Sequence, residues 1–197
     1  MDGHWSLRVV TPPASEPVTL AEAKLHLRVD ATDDDALISG LIRAAREHAE
    51  QILGRALMTQ TLELGLDDWP RDEILLPMPP VQSVASISYT DAAGVVRTVD
   101  PASYVVDTAS EPARVVLRWS YTWPADVLQP QSGAIRVRYV AGYQSAADIP
   151  QAIKAAILLH IGHLYENREA ANIGNIVTEL PLAYRALLSP HRVVTVL

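Results

Sequence analysis

Cysteine is absent from the chain. Its absence removes disulfides, thiolate nucleophiles, iron-sulfur clusters and zinc-thiolate sites together, so any chemistry must run on oxygen or imidazole. A bilayer-spanning run is lacking too. The longest apolar stretch, AAILLHIGHLY, is too short to cross as a helix and carries two histidines, which sets membranes aside. The opening MDGHWSLRVV has an acid at its second position and neither a basic nor an apolar segment, so no signal or transit peptide is readable and synthesis in the cytoplasm is expected. Basic runs are missing as well. With 16 Lys+Arg against 23 Asp+Glu the formal net charge is -7, and the cations are scattered, so the chain as a whole cannot grip DNA by neutralising phosphates. Gly-rich phosphate loops, G-x-S-x-G elbows, HExxH motifs, internal repeats and low-complexity segments do not occur.

What is present has the balance of an ordinary globular protein: 49% apolar and 20% charged residues in 197 positions, room for one domain with a real core. Helical periodicity comes first. In VTLAEAKLHL, Thr19 and Glu22 form a capping box ahead of a short helix from Leu20 to Leu27. In ATDDDALISGLIRAAREHAEQILGR, Thr32 or Asp33 is expected to cap, and the Asp33, Asp34, Asp35 cluster complements the helix dipole. Leu37, Ile38, Leu41, Ile42, Ala45, Ala49, Ile52 and Leu53 make one apolar stripe, Arg43, Arg46, Glu47 and Glu50 take the other side, and Gly54 ends the helix.

From Thr59 to Tyr143 the period drops to two, with turn residues at close intervals. Strands are predicted in TQTLELGL, DEILL, QSVASISYT, VVRTV, SYVVDT, ARVVLRWS and AIRVRYVAG, as a small sandwich or barrel of antiparallel hairpins. Helix then returns. Asp148 is a candidate cap with Pro150 near the first turn, and residues 155–165 are apolar on nearly every side, as in a helix buried all round. NREAANIGNIVTELP reads as a mobile loop, LAYRALL as a last short helix stopped at Ser189 and Pro190, and RVVTVL as an apolar tail.

The expected architecture is therefore α+β: one domain over 1–197, with a helical part at 17–56 and 148–190 and a β lobe inserted at 57–146. A loop at 167–179 and a tail at 191–197 complete it, and their composition predicts that they order only on assembly.

Few residues invite a catalytic reading. His160 to His163 spell H-I-G-H, the nucleotide-binding signature of one class of aminoacyl-tRNA synthetase, but here the letters lie inside a helix rather than at a strand-to-helix turn, so the match is coincidence. His160, His163 and Glu166 are spaced three apart and could present two imidazoles and a carboxylate to a metal, as in a metal-dependent hydrolase. The plainer reading makes His160 a hydrogen-bonded core residue in the stripe of Ile153, Ala156, Ile157 and Leu164. No catalytic, cofactor or metal site is assigned. The apolar helix and the tail VVTVL suggest instead surfaces that wait for other subunits.

Taken in order, EPVTLAEAKLHLRVD, DDDALISGLIRAAREHAEQILGRAL, YVAGY, DIPQAIKAAILLHIGHLYENRE and PLAYRALLSPHRV resemble the head-to-tail connector (adaptor) family of tailed bacteriophages and prophages. The most specific parts are VTLAEAK, AGY before IP, YENRE, and the closing Leu187, Leu188, Pro190 and Arg192; His191 stands where an aromatic residue is more typical. The resemblance implies a structural virion protein of the capsid-tail neck with no enzymatic activity and no cofactor. It implies a homo-oligomeric ring under the portal protein that docks a tail-side neck or stopper protein, with double-stranded DNA passing through transiently and without sequence preference. Another neck or tail component of similar build would read much the same. A closing ring needs a heterologous interface. The candidate contact residues are Leu37, Leu41, Arg43, Arg168, Glu169, Tyr184, Arg185, Arg192, Val194 and Val196. Which face lines a channel is not legible in the sequence, and Arg136 and Arg138, on one strand, could equally contact a neighbour.

Overall fold

The computed structural model describes residues 4–125, 128, 132–167 and 182–193. Residues 168–179 of the expected loop, with 180 and 181, and the tail from 194 onward lie outside them. The fold is α+β, with two compact units. Among the described residues, those within 4–14 and 59–142 build one and those within 15–58 and 143–193 build the other.

The second unit is helical. α1 (Leu20–Leu27) begins with the expected capping box: Glu22 N-H donates to Thr19 Oγ1 at 3.1 Å, and Thr19 N-H donates to the Glu22 carboxylate at 2.7 Å. Replacing Thr19 with Ala removes the acceptor of the Glu22 N-H, while the backbone N-H of residue 19 keeps the Glu22 carboxylate. Thermal unfolding should then show a loss of about 1 kcal/mol.

α2 (Asp35–Leu53) departs from expectation at its start. Its N-cap is Asp34, which makes no side-chain bond to the helix and instead accepts a hydrogen bond from the Tyr165 hydroxyl. Asp35 pairs with Lys24 Nζ at 2.6 Å, so two of the three acids tie α2 to other segments rather than capping it. At the far end Gly54 takes φ 63, the left-handed conformation that closes a helix without a Cβ clash. Ile38, Ile42, Ala45, Ala49 and Leu53 form the buried stripe as predicted, but Arg46 and Glu50 are buried with them.

α3 (Gln151–Glu166) follows a short 3-10 turn at Ala146–Asp148. Ser145 and Asp148 close a capping box on that turn, so Asp148 does not cap α3 itself. The helix is not buried all round. Ile153, Ala156, Ile157, His160 and Ile161 are buried, while Leu158, Leu159, Leu164 and Tyr165 are half-buried because the remaining helices cover one side. α4 (Leu182–Leu188) adds Tyr184 and Leu188 to the same core.

The first unit is β. Its strands are β1 (Trp5–Thr11), β2 (Gln60–Leu66), β3 (Glu73–Leu76), β4 (Val81–Thr90), β5 (Val96–Thr98), β6 (Tyr104–Asp107), β7 (Ala113–Leu117) and β8 (Ile135–Ala141). Seven of these fall in the predicted segments; β1 was not foreseen. Among the described residues they form two antiparallel sheets, ordered β1-β2-β8-β4-β5 and β3-β7-β6, with no closed barrel. Alternation puts Leu62, Leu64, Leu66, Ile135, Val137 and Tyr139 in the core, where Tyr139 donates its hydroxyl to the Pro77 carbonyl at 2.7 Å. Among the described residues no helix is long and apolar enough to cross a membrane.

Candidate functional site

In the helical unit the polar residues converge at two places. At the first, Arg46 on α2 donates from Nε to Glu16 at 2.7 Å and from Nη1 to Glu50 at 2.9 Å. Glu50 in turn accepts the backbone N-H of Leu57 at 2.8 Å, which fastens the segment leaving α2. A buried guanidinium with two carboxylates and a satisfied backbone donor holds its charges in place. It offers nothing open to a substrate.

At the second, His48 of α2, His160 of α3 and Tyr184 of α4 meet ring to ring. The His48 and Tyr184 rings stack with centroids 5.6 Å apart, the His48–His160 centroids are 4.8 Å apart, and the Tyr184 hydroxyl lies 3.1 Å from His48 Nδ1. His160 is a core histidine, as its stripe position suggested, but its Nδ1 finds no hydrogen-bond partner among the described residues. Burial, with His48 and His163 nearby, pulls its pKa down from 6.5 to about 4, so the ring is neutral at pH 7. Burial likewise pushes the Tyr184 phenol up to about 12.

His163 and Glu166 do not join this cluster. His163 lies beside Asn167, Glu166 is exposed, and no group of three or more His, Asp or Glu among the described residues is arranged to hold a metal. His160, Ile161, Gly162 and His163 all sit within α3. That is a helix interior, without the backbone N-H groups a phosphate requires.

The β unit carries its polar residues on the outer face of the five-stranded sheet. Two cross-strand rows run along it: Arg8, Glu63, Arg138 and Ser86, and beside it Ser6, Gly65, Arg136, Ser88 and Thr98. Glu63 is buried between two forks. Arg8 donates from Nε and Nη2 to Oε1 at 3.0 and 2.6 Å, and Arg138 from Nε and Nη2 to Oε2 at 3.2 and 2.7 Å. Burial raises the Glu63 pKa, and hydrogen bonds from Arg138 and Arg8 more than offset this, leaving it below the ordinary carboxylate value. Next to the triad a hollow of about 280 Å³ has Ser6, Arg8, Glu63, Gly65 and Arg136 among its walls. Gly65 keeps it open: a Cβ there would stand 2.7 Å from Ser6 Oγ.

Of the contact residues expected from sequence, Leu37, Arg43, Arg185 and Arg192 are exposed. Leu41 is half-buried against the helical core, and Tyr184 is fully buried, so Tyr184 serves packing rather than a docking surface. Arg168, Glu169, Val194 and Val196 lie outside the described residues. The large apolar side chains most open to solvent went unnoticed in the sequence: Trp119 at 95%, Leu182 at 86% and Leu25 at 81% exposure. The signal for Leu25 was available, since α1 buries Ala23 and half-buries Leu20 and Leu27, leaving an apolar residue out of phase with the stripe.

Residues 17–94 match the model of a family described as phage gp6-like head-tail connector protein. No curated protein matches the chain. Among solved structures, a chain of the neck of an empty gene transfer agent (GTA) particle with C6 symmetry is 27% identical with a TM-score of 0.76, covering 98% of this chain and 97% of that one. A chain from the virion of a native GTA particle is 26% identical with a TM-score of 0.76, covering 97% of both. A chain from the neck of a native GTA particle with C12 symmetry is 26% identical with a TM-score of 0.73, covering 98% and 97%. The resemblance to phage head-tail connectors read from the sequence therefore holds.

Proposed function

We propose that this chain is a structural connector in the neck of a phage or phage-like particle, that it assembles as a ring under the portal, and that it has no catalytic activity. The observation that carries the reading is the near-complete coverage, at 27% identity, between this chain and a neck protein of a phage-like particle. The C6 and C12 symmetries of the related necks favour a closed ring over an open filament. One side of the ring meets the portal protein, the other a tail-side neck or stopper protein, and the lumen continues the path of double-stranded DNA.

The chemistry of the residues agrees. The buried polar groups of the helical unit serve packing: Arg46 and its carboxylates tie α2 to the segments before α1 and after α2, and the His48–His160–Tyr184 cluster joins α2, α3 and α4. Exposed Leu25, Leu37 and Leu182 on that unit supply apolar area for a neighbour. Mixing the purified chain with portal rings from the same phage genome should give a co-sedimenting complex with an added ring of density in negative-stain electron microscopy. A chain that stays at the meniscus with every portal preparation would sink the reading.

A further inference from the structure

We propose that the outer face of the five-stranded sheet is a contact site for the phosphodiester backbone of duplex DNA, with Arg8, Arg136 and Arg138 as the phosphate-binding groups. The inference rests on the connector reading only for the presence of DNA; the site itself is argued from the geometry of the face.

Glu63 uses each of its oxygens on the Nε and Nη2 edge of one guanidinium. Each fork is thereby held in a fixed plane while its Nη1 stays unused by Glu63. Arginines prepared this way lose little freedom on binding an oxyanion, and their planar N-H pairs match phosphate geometry. Glu63 acts as a positioning residue. Arg136 adds a cation with no ion-pair or hydrogen-bond partner among the described residues, on the rim of the hollow that Gly65 leaves. One carboxylate against three guanidiniums makes this face locally cationic on a chain of net charge -7.

The floor of the face decides between nucleic acid and protein. Beside the arginines it presents Ser6, Ser86, Ser88, Thr98 and Gly65. A protein partner needs a desolvated apolar centre to bind with useful affinity, and these two rows supply none; the exposed Val96 on this face lies at the β5 edge, away from the arginines. A phosphate backbone needs cations and hydroxyl donors on a surface its groove can approach, and no base edges have to be read. Few cations per copy also give weak, salt-sensitive contact. Such contact guides a duplex without stopping it.

The test is fluorescence anisotropy of a labelled duplex of about 30 base pairs with the full-length chain, titrated across salt from about 20 to 200 mM. The wild type should bind at low salt with a log-log slope of about -2 to -3, and R136Q should flatten that slope by about 1. Arg136 is exposed, so circular dichroism should show R136Q folded. Wild-type rings on portal without salt-dependent DNA binding overturn the site and leave the connector reading intact. DNA binding by a chain that no portal recruits supports the site and overturns the connector reading. Unchanged slope with loss of ring formation in R136Q means that the face takes carboxylates of a neighbouring copy, and the proposal fails.

Discussion

Between pH 6.5 and pH 4 the helical unit should lose up to roughly 3 kcal/mol of stability, the amount carried by one imidazole whose pKa falls by about 2.5 on folding. His160 titrates near 6.5 when unfolded and near 4 when folded. Over that window the unfolded chain binds a proton that the native chain refuses, so acid favours unfolding. The loss begins as the pH falls past 6.5 and is complete below about 4. Among the rings facing His160, His48 from α2 and His163 from its own helix raise the cost of a positive charge there, while Tyr184 from α4 stays neutral throughout. The strongest carboxylate shift lies elsewhere on the scale, since Asp107, held by Ser110 and Arg114, titrates at about 2 and loses its contribution only under stronger acid. Urea denaturation at a series of pH values, for wild type and His160→Met, separates the causes. The variant should lose most of the slope between pH 6.5 and 4. Parallel profiles for the two proteins would mean that His160 is not the group responsible.

Arg46→Met should destabilise the same unit by about 3 to 5 kcal/mol, the cost of removing one partner from a buried ionic network. Glu50 would keep the Leu57 N-H but lose the Arg46 guanidinium, and Glu16 would lose its bond from Nε. Adding Glu50→Gln should restore a large share, because the amide oxygen still accepts from Leu57 and the carboxylate that Arg46 had balanced is gone. Denaturation followed by far-UV circular dichroism gives both values. A single variant within about 0.5 kcal/mol of wild type would show that water already screens the network.

Arg46 also marks where the sequence stops being informative. Period 3.6 placed Ile38, Ile42, Ala45, Ala49 and Leu53 on the buried stripe correctly, because apolar side chains have one preferred side. Arg46 and Glu50 were assigned to solvent by the same rule, which cannot foresee a carboxylate arriving from Glu16, thirty positions upstream. β1 escaped for a related reason. Trp5, Leu7 and Val9 alternate with Ser6 and Arg8, but the partner that turns this alternation into a strand lies on β2, and hydrogen-bond register over such a distance leaves no local trace. The triad at Glu63 depends on two registers at once, β1 with β2 and β2 with β8, so its residues were visible singly and their meeting was not. His160 was legible as a core residue from its neighbours on the helix. The rings it meets were not, since they come from two other helices.

The helical unit is assembled from residues 15–58 and 143–193, with the whole of 59–142 between them. A ribosome releases α1 and α2 long before α3 and α4 exist, so the apolar stripe of α2 must wait through the synthesis of seven strands before its covering helices emerge. The nascent chain is therefore most vulnerable to proteases and stray association during that interval, and fast closure of the strands shortens it. Few copies would complete the helical unit if translation stalled before residue 150, whatever the state of the sheets.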